Sequence, residues 1–275
     1  SFIHVITRII RRSLILMLLG ICLNSKWIDY DQANGLSRLR LTGVLQRFSI
    51  SYLVVALMYA NELKFGQWFK AQSFARLPYL SRFMRFVIEL LLAFNYLAIY
   101  IYMTFFYKYS DDCPIGYTGP GGQTEGGKYA GCTGGAAAWL ERVLIGENHT
   151  YNDHELKQIF KSQVSHDPEG ILGYTTSILL TLIGLQSGKI LMRRQNVNHK
   201  SRVLAFARAS LLLAMSCALV LVIPINKRLW SLTFVLVTAL VAFLIMALLY
   251  IVLDVYACKR TLPMRLFISA GKNAL

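Results

Sequence analysis

Residues 113–173 read CPIGYTGPGGQTEGGKYAGCTGGAAAWLERVLIGENHTYNDHELKQIFKSQVSHDPEGILG. This polar, glycine-rich stretch is too long and too hydrophilic to lie in hydrocarbon, and it separates two blocks that are strongly apolar. A transmembrane helix needs about 20 mostly apolar residues. Segments near 4–23, 43–60, 83–107, 170–192, 203–223 and 229–253 meet or approach that, and a seventh begins near Leu266. The expected fold is therefore all-α: a polytopic transmembrane helical bundle carrying one long loop. It divides into three helices over 1–107, a loop over 108–169, and three helices plus the start of a seventh over 170–275.

Composition agrees. The 275-residue chain is 55% hydrophobic with a mean hydropathy of +0.47, above the roughly 45–50% of ordinary soluble domains. The formal charge of +15 is scattered in short Lys/Arg groups between apolar runs, which encodes topology and excludes a nucleic-acid footprint. Arg8, Arg11 and Arg12, the Lys64–Arg85 connection, the Lys189–Arg202 connection and Lys259–Arg265 fall on alternate connections. The positive-inside rule makes these cytoplasmic and puts loop 108–169 on the opposite, luminal face.

Two further features bear on that compartment. Cys113 and Cys132 sit together in the loop with no metal-type spacing around them; a disulfide is the preferred reading and two free thiols the other. Asn148, His149 and Thr150 form a sequon for glycosylation. His149, His154 and His166 are not spaced as a zinc site, so no metal is expected. GPGGQTEGG has neither the spacing nor the following helix of a phosphate loop and reads as a turn-rich surface segment.

Several polar residues could carry chemistry. At the end of the loop, Asp167 reads as an N-cap, Pro168 as the first helical position and Glu169 as a first-turn carboxylate. The functional reading is that Glu169, at the membrane surface, binds or deprotonates an amine or hydroxyl. Arg40 and Arg47 would share a helix face if the helix already includes position 40, with Gln46 alongside. An arginine in the first turns of a span must snorkel, pair or face a cavity; if it does not snorkel, the two form a fork for an anion. Asn226 to Ser231 make a tight connection in which Trp230 suits an interfacial aromatic belt.

The stretches RLRLTGVLQR (38–47), CPIGYTGPGG (113–122), GKYAGCTGGAAAWLERVLIGENHTY (127–151), HDPEGILGYTTSILLTLIGLQSGKIL (166–191), IPINKRLWSLTFV (223–235) and GKNAL (271–275) together resemble the heparan-alpha-glucosaminide N-acetyltransferase family of polytopic membrane acyltransferases. The resemblance implies a multi-pass lysosomal enzyme. It would move an acetyl group from cytosolic acetyl-CoA to the terminal glucosamine of heparan sulfate, with membrane lipid around it, as a homodimer and without nucleic acid or metal. It implies Arg40, Gln46, Arg47 and Glu169 as substrate- or cofactor-binding residues, with Asn226, Trp230 and Asn273 as further candidates. Thr42 stands where the family motif has proline. Both ends of the chain read as cut. The family's catalytic histidine belongs to an earlier segment, so this chain alone is expected to be inactive. A transporter-like or lipid-binding protein on the same scaffold is the alternative.

Overall fold

The structure, a computed structural model, describes residues 2–24, 40–71, 78–151, 154–162, 164, 166–192 and 198–256. Among them the regular elements are all helices: α1 Phe2–Asn24, α2 Val44–Ala71, α3 Pro78–Ile101, α4 Gly135–Ile145, α5 His154–Phe160, α6 Leu172–Leu191, α7 His199–Ser216 and α8 Leu232–Tyr250. The chain is all-α. Each of the six segments expected to span overlaps one of the long helices, with α2 running well past the expected end at 60 and α7 stopping at Ser216. Asn273 and the seventh span expected near Leu266 lie outside the described residues.

Three stretches are long and apolar enough to cross a bilayer: Tyr79–Phe106, His199–Leu221 and Leu232–Val255. The first and last exceed α3 and α8 because each ends in a turn of π-helix, Tyr102–Phe106 and Ile251–Val255. Their outer faces are what lipid would cover. Phe86, Leu90, Leu91 and Phe94 are exposed on α3, and Leu244, Ile245 and Leu248 on α8. A soluble monomer rarely leaves apolar strips of this size in water, whereas hydrocarbon favours them. The protein is a membrane protein.

The chain forms two compact units. One comprises Ser1–Leu182 with Pro224–Val235. In it α1 and α2 are clasped by serines: the Ser13 and Ser49 hydroxyls lie 2.9 Å apart, and each also reaches the other's backbone carbonyl. Small polar residues that let helix backbones approach are a membrane packing device. The other comprises Ile183–Ile223 with Leu236–Leu275. There the fully buried Phe206 of α7 packs against Phe243 and Tyr250 of α8, with ring centroids 6.0 and 6.3 Å away.

The glycine-rich loop is more than the surface excursion its composition suggests. Cys113 and Cys132 form a disulfide, and both are buried along with Gly121, Gly122, Thr133, Ala136 and Ala138. Gly135 shows why glycine is needed: its φ is +57°, and a Cβ there would lie 1.8 Å from the Tyr117 carbonyl oxygen. Only a residue without a side chain allows that turn and that approach. The loop thus folds back on itself into a small packed layer, from which α4 springs. That layer, with the segment before α2, holds the polar cluster.

Candidate functional site

The cluster is built around the turn His166–Gly170. The sequence suggests a helix beginning at Pro168, but α6 starts at Leu172. Residues 167–170 instead form a turn closed by Gly170 N–H donating to the Asp167 carbonyl at 3.0 Å. The Asp167 side chain accepts Glu169 N–H at 2.9 Å, an Asx turn. Its remaining lone pairs are drawn to other parts of the chain, so it does not cap the helix.

Those other parts are distant in sequence. Arg40 Nε and NH2 donate to Asp167 Oδ2 and Oδ1 at 3.1 and 2.7 Å, a bidentate fork. Tyr151 N–H donates to Oδ2 at 3.1 Å, and the Thr42 hydroxyl donates to the same oxygen. A carboxylate offers about four lone-pair sites, and Asp167 is saturated. Burial opposes its charge, but the Arg40 and Thr42 hydrogen bonds and the Arg40 charge outweigh it and hold the carboxyl below the usual range. Burial likewise works against the charge of Arg40, and the two carboxylates more than restore it. Asp167 is a fixed anion.

Glu169 is placed differently. Arg40 also donates to its Oε2, yet the Glu169 side chain is 25% exposed where that of Asp167 is fully buried. Among the described residues its carboxylate has no hydrogen-bond donor besides Arg40. It keeps lone pairs free and has access to solvent. Arg40 is itself packed over the Tyr151 ring, 4.5 Å from the centroid, which fixes the fork in plane.

Arg47 approaches the same turn from the first turn of α2. It is 1% exposed, donates from NH2 to the Pro168 carbonyl at 3.0 Å, and lies over the Trp230 ring at 4.5 Å and the Tyr174 ring at 5.8 Å. Gly173 makes room for it, since a Cβ there would be 2.8 Å from Arg47 NH2. The shared helix face expected for Arg40 and Arg47 is not how they meet, because α2 begins only at Val44. Arg40 reaches the turn's side chains from the extended segment 40–43, and Arg47 reaches its backbone from the helix. Neither snorkels.

The other candidates separate. Trp230 belongs to the cluster, held in a positive-φ conformation (φ +50°) whose carbonyl accepts from the Thr176 hydroxyl at 2.9 Å. Asn226 builds that corner: its Oδ1 accepts the N–H groups of Arg228 and Leu229 at 2.9 and 3.2 Å. Gln46 is fully buried but faces α1, where Asn24 Nδ2 donates to its Oε1 at 3.5 Å. Asn148 falls in a short 3-10 turn, Glu147–His149.

Two participants escape a reading of the sequence. Glu141, on α4, is 1% exposed and accepts Asp167 N–H through Oε2 at 3.1 Å. A Cβ at Gly170 would stand 1.5 Å from its Oε1, so that glycine exists to admit the carboxylate beneath the turn. Thr42 is the second; the residue that departs from the proline motif supplies a hydrogen bond to Asp167.

No family model matches the chain. It is similar to the heparan-alpha-glucosaminide N-acetyltransferase of Mus musculus, 33% identical over 297 residues that cover all of this chain and 42% of that protein. It is also 33% identical, over 247 residues, to the protein of the same name from Homo sapiens, covering 86% of this chain and 36% of the relative. The chain spans less than half the length of these curated relatives.

Proposed function

Because this chain belongs to the heparan-alpha-glucosaminide N-acetyltransferase family, we propose that it supplies the acceptor side of a membrane acetyltransferase. The reaction moves acetyl from acetyl-CoA on the cytosolic face to the terminal glucosamine of heparan sulfate in the lumen, in the lysosomal membrane. The observation that carries this reading is the contrast between the two carboxylates of the turn. Asp167 is saturated and buried; Glu169 is anchored by one arginine and left open.

An amine is acylated only as the free base, so the glucosamine ammonium must lose a proton before its nitrogen attacks the acyl carbon. A carboxylate within hydrogen-bond reach is a suitable acceptor for that proton. Glu169 fills this role, binding the ammonium and taking one proton to give the free amine, whose nitrogen then attacks the acyl carbon. As the nitrogen–carbon bond forms and the acyl–sulfur or acyl–carrier bond breaks, the second nitrogen proton goes to the departing thiolate or carrier. Arg40 orients it. Arg47 offers a buried guanidinium whose Nε has no partner among the described residues, suited to an oxygen of the donor or of the acyl group in transit.

The test uses the full-length protein in sealed membrane vesicles, with labelled acetyl-CoA outside and glucosamine inside. Labelled N-acetylglucosamine is expected inside, in proportion to the protein. No transfer, or product formed only outside, would overturn the reading.

A further inference from the structure

We propose that His166 and Glu141 form a buried proton-binding pair that holds the Asp167–Glu169 turn in place, so that the geometry of the site tightens on acidification. The proposal rests on the turn being the acceptor site, and it concerns two residues that the reaction scheme above does not use.

His166 is 4% exposed, and its Nδ1 lies 3.5 Å from Glu141 Oε2. Among the described residues neither ring nitrogen has a hydrogen-bond partner, and Glu141 Oε1 is also buried and unpartnered. A buried polar group without a partner is costly, and here an imidazole and a carboxylate stand next to each other, so that a second proton on the ring has an anion to face. Adding it to the imidazole turns a loose approach into a charge-assisted hydrogen bond. Histidine is the side chain whose charge ordinarily changes between about pH 5 and 8.

The pair is wired to the site through a shared atom. Glu141 Oε2, which faces His166, also accepts Asp167 N–H. A protonated His166 therefore pins Glu141, and Glu141 pins the backbone of the residue on which Arg40, Thr42 and Tyr151 converge. The imidazole also packs against Gly134, just before α4, where a Cβ would lie 2.9 Å from its Cγ and Nδ1.

The charged groups around the pair are Asp167 and Glu169 of its own turn, Arg40 of the segment before α2, and Arg47 of α2, which feels the charge of Glu141. Three carboxylates face two guanidinium groups. Protonated His166 would make the cluster neutral, which is the state a low-dielectric site favours. His166 and Glu141 are positioning residues: they touch the turn, and Glu169 touches the substrate.

The test compares the full-length wild-type protein, purified in detergent, with His166→Phe, which keeps a ring and removes both nitrogens. If protonation ties the pair, its stabilisation is present at acidic pH and lost as pH rises through the histidine range. The Tm gap between wild type and variant should then be wider at about pH 5 than at about pH 8, by about 2–4 °C. Glu141→Gln keeps an acceptor for Asp167 N–H and removes the charge, so it should erase the pH dependence even if His166→Phe folds poorly. In acetyl transfer, both variants should lose a limb of the pH profile between about pH 5 and 8 that the wild type shows. A Tm gap that is the same at both pH values, or a Glu141→Gln protein with the wild-type pH dependence, would overturn the proposal. Absence of transfer by the wild type at every pH would instead defeat the acetyltransferase reading, and the Tm comparison would still decide the pair.

Discussion

Glu169→Gln in the full-length protein should lower acetyl transfer to glucosamine by about 10²–10⁴-fold, the range that a general base supplies. The substitution is nearly isosteric. Its carbonyl oxygen can still accept from Arg40, and the fork from Arg40 to Asp167 is untouched. Folding, expression and the disulfide should therefore be unchanged, and the loss should fall on the chemistry. The neutral amide can neither pair with an ammonium nor take its proton. Full activity in the variant would remove Glu169 from the reaction while leaving family membership intact.

Asp167→Ala should show its largest effect in stability. The side chain is completely buried and accepts from Arg40, Thr42, Tyr151 and the Glu169 backbone. Removing it leaves those donors facing an apolar methyl, a loss of about 3–5 kcal/mol for a broken buried ion pair, read by thermal or denaturant unfolding. The pH dependence of this contribution has a definite sign. The folded-state carboxyl sits below its ordinary value, so the stabilisation is present above about pH 4 and lost only as pH falls through the folded value. The gap between wild type and Asp167→Asn should stay flat from neutral pH to about pH 5 and narrow below about pH 4. A gap that closed on mild acidification would show that Asp167 is not held ionised by Arg40.

The long helices were legible because lipid-facing segments leave a simple record: apolar runs of fixed length broken by basic groups. The pairing of Cys113 with Cys132 was legible because the other cysteines lie in or beside apolar runs. Arg40, Arg47, Trp230 and Glu169 announced themselves as charged or aromatic residues at span boundaries, and the structure brings Arg40 and Arg47 to the turn that carries Glu169, with Trp230 stacked on Arg47. What the sequence could not convey was the partnership itself. Arg40 and Asp167 are 127 positions apart, and nothing local in either segment names the other.

The misplaced helix start has the same origin. Asp167, Pro168 and Glu169 satisfy every local rule for an N-terminus, yet tertiary partners took the lone pairs that a cap would have used, and α6 starts later. Glu141 was hidden for a different reason. In AAAWLERVL it reads as the polar face of an amphipathic helix, whereas its burial, its hydrogen bond from Asp167 N–H and the space left by Gly170 show that it points inward. The one available signal was the glycine after DPE, which a helix start alone does not require.

The central claim is that the turn His166–Gly170, with Arg40 and Arg47, receives the amine acceptor. Hydrogen exchange on the full-length protein, with and without saturating glucosamine, addresses it most directly. Slowed exchange is expected in the peptides that carry residues 166–171 and 40–43, with loss of that protection in Glu169→Gln. Protection confined to other segments, or unchanged by Glu169→Gln, would contradict it.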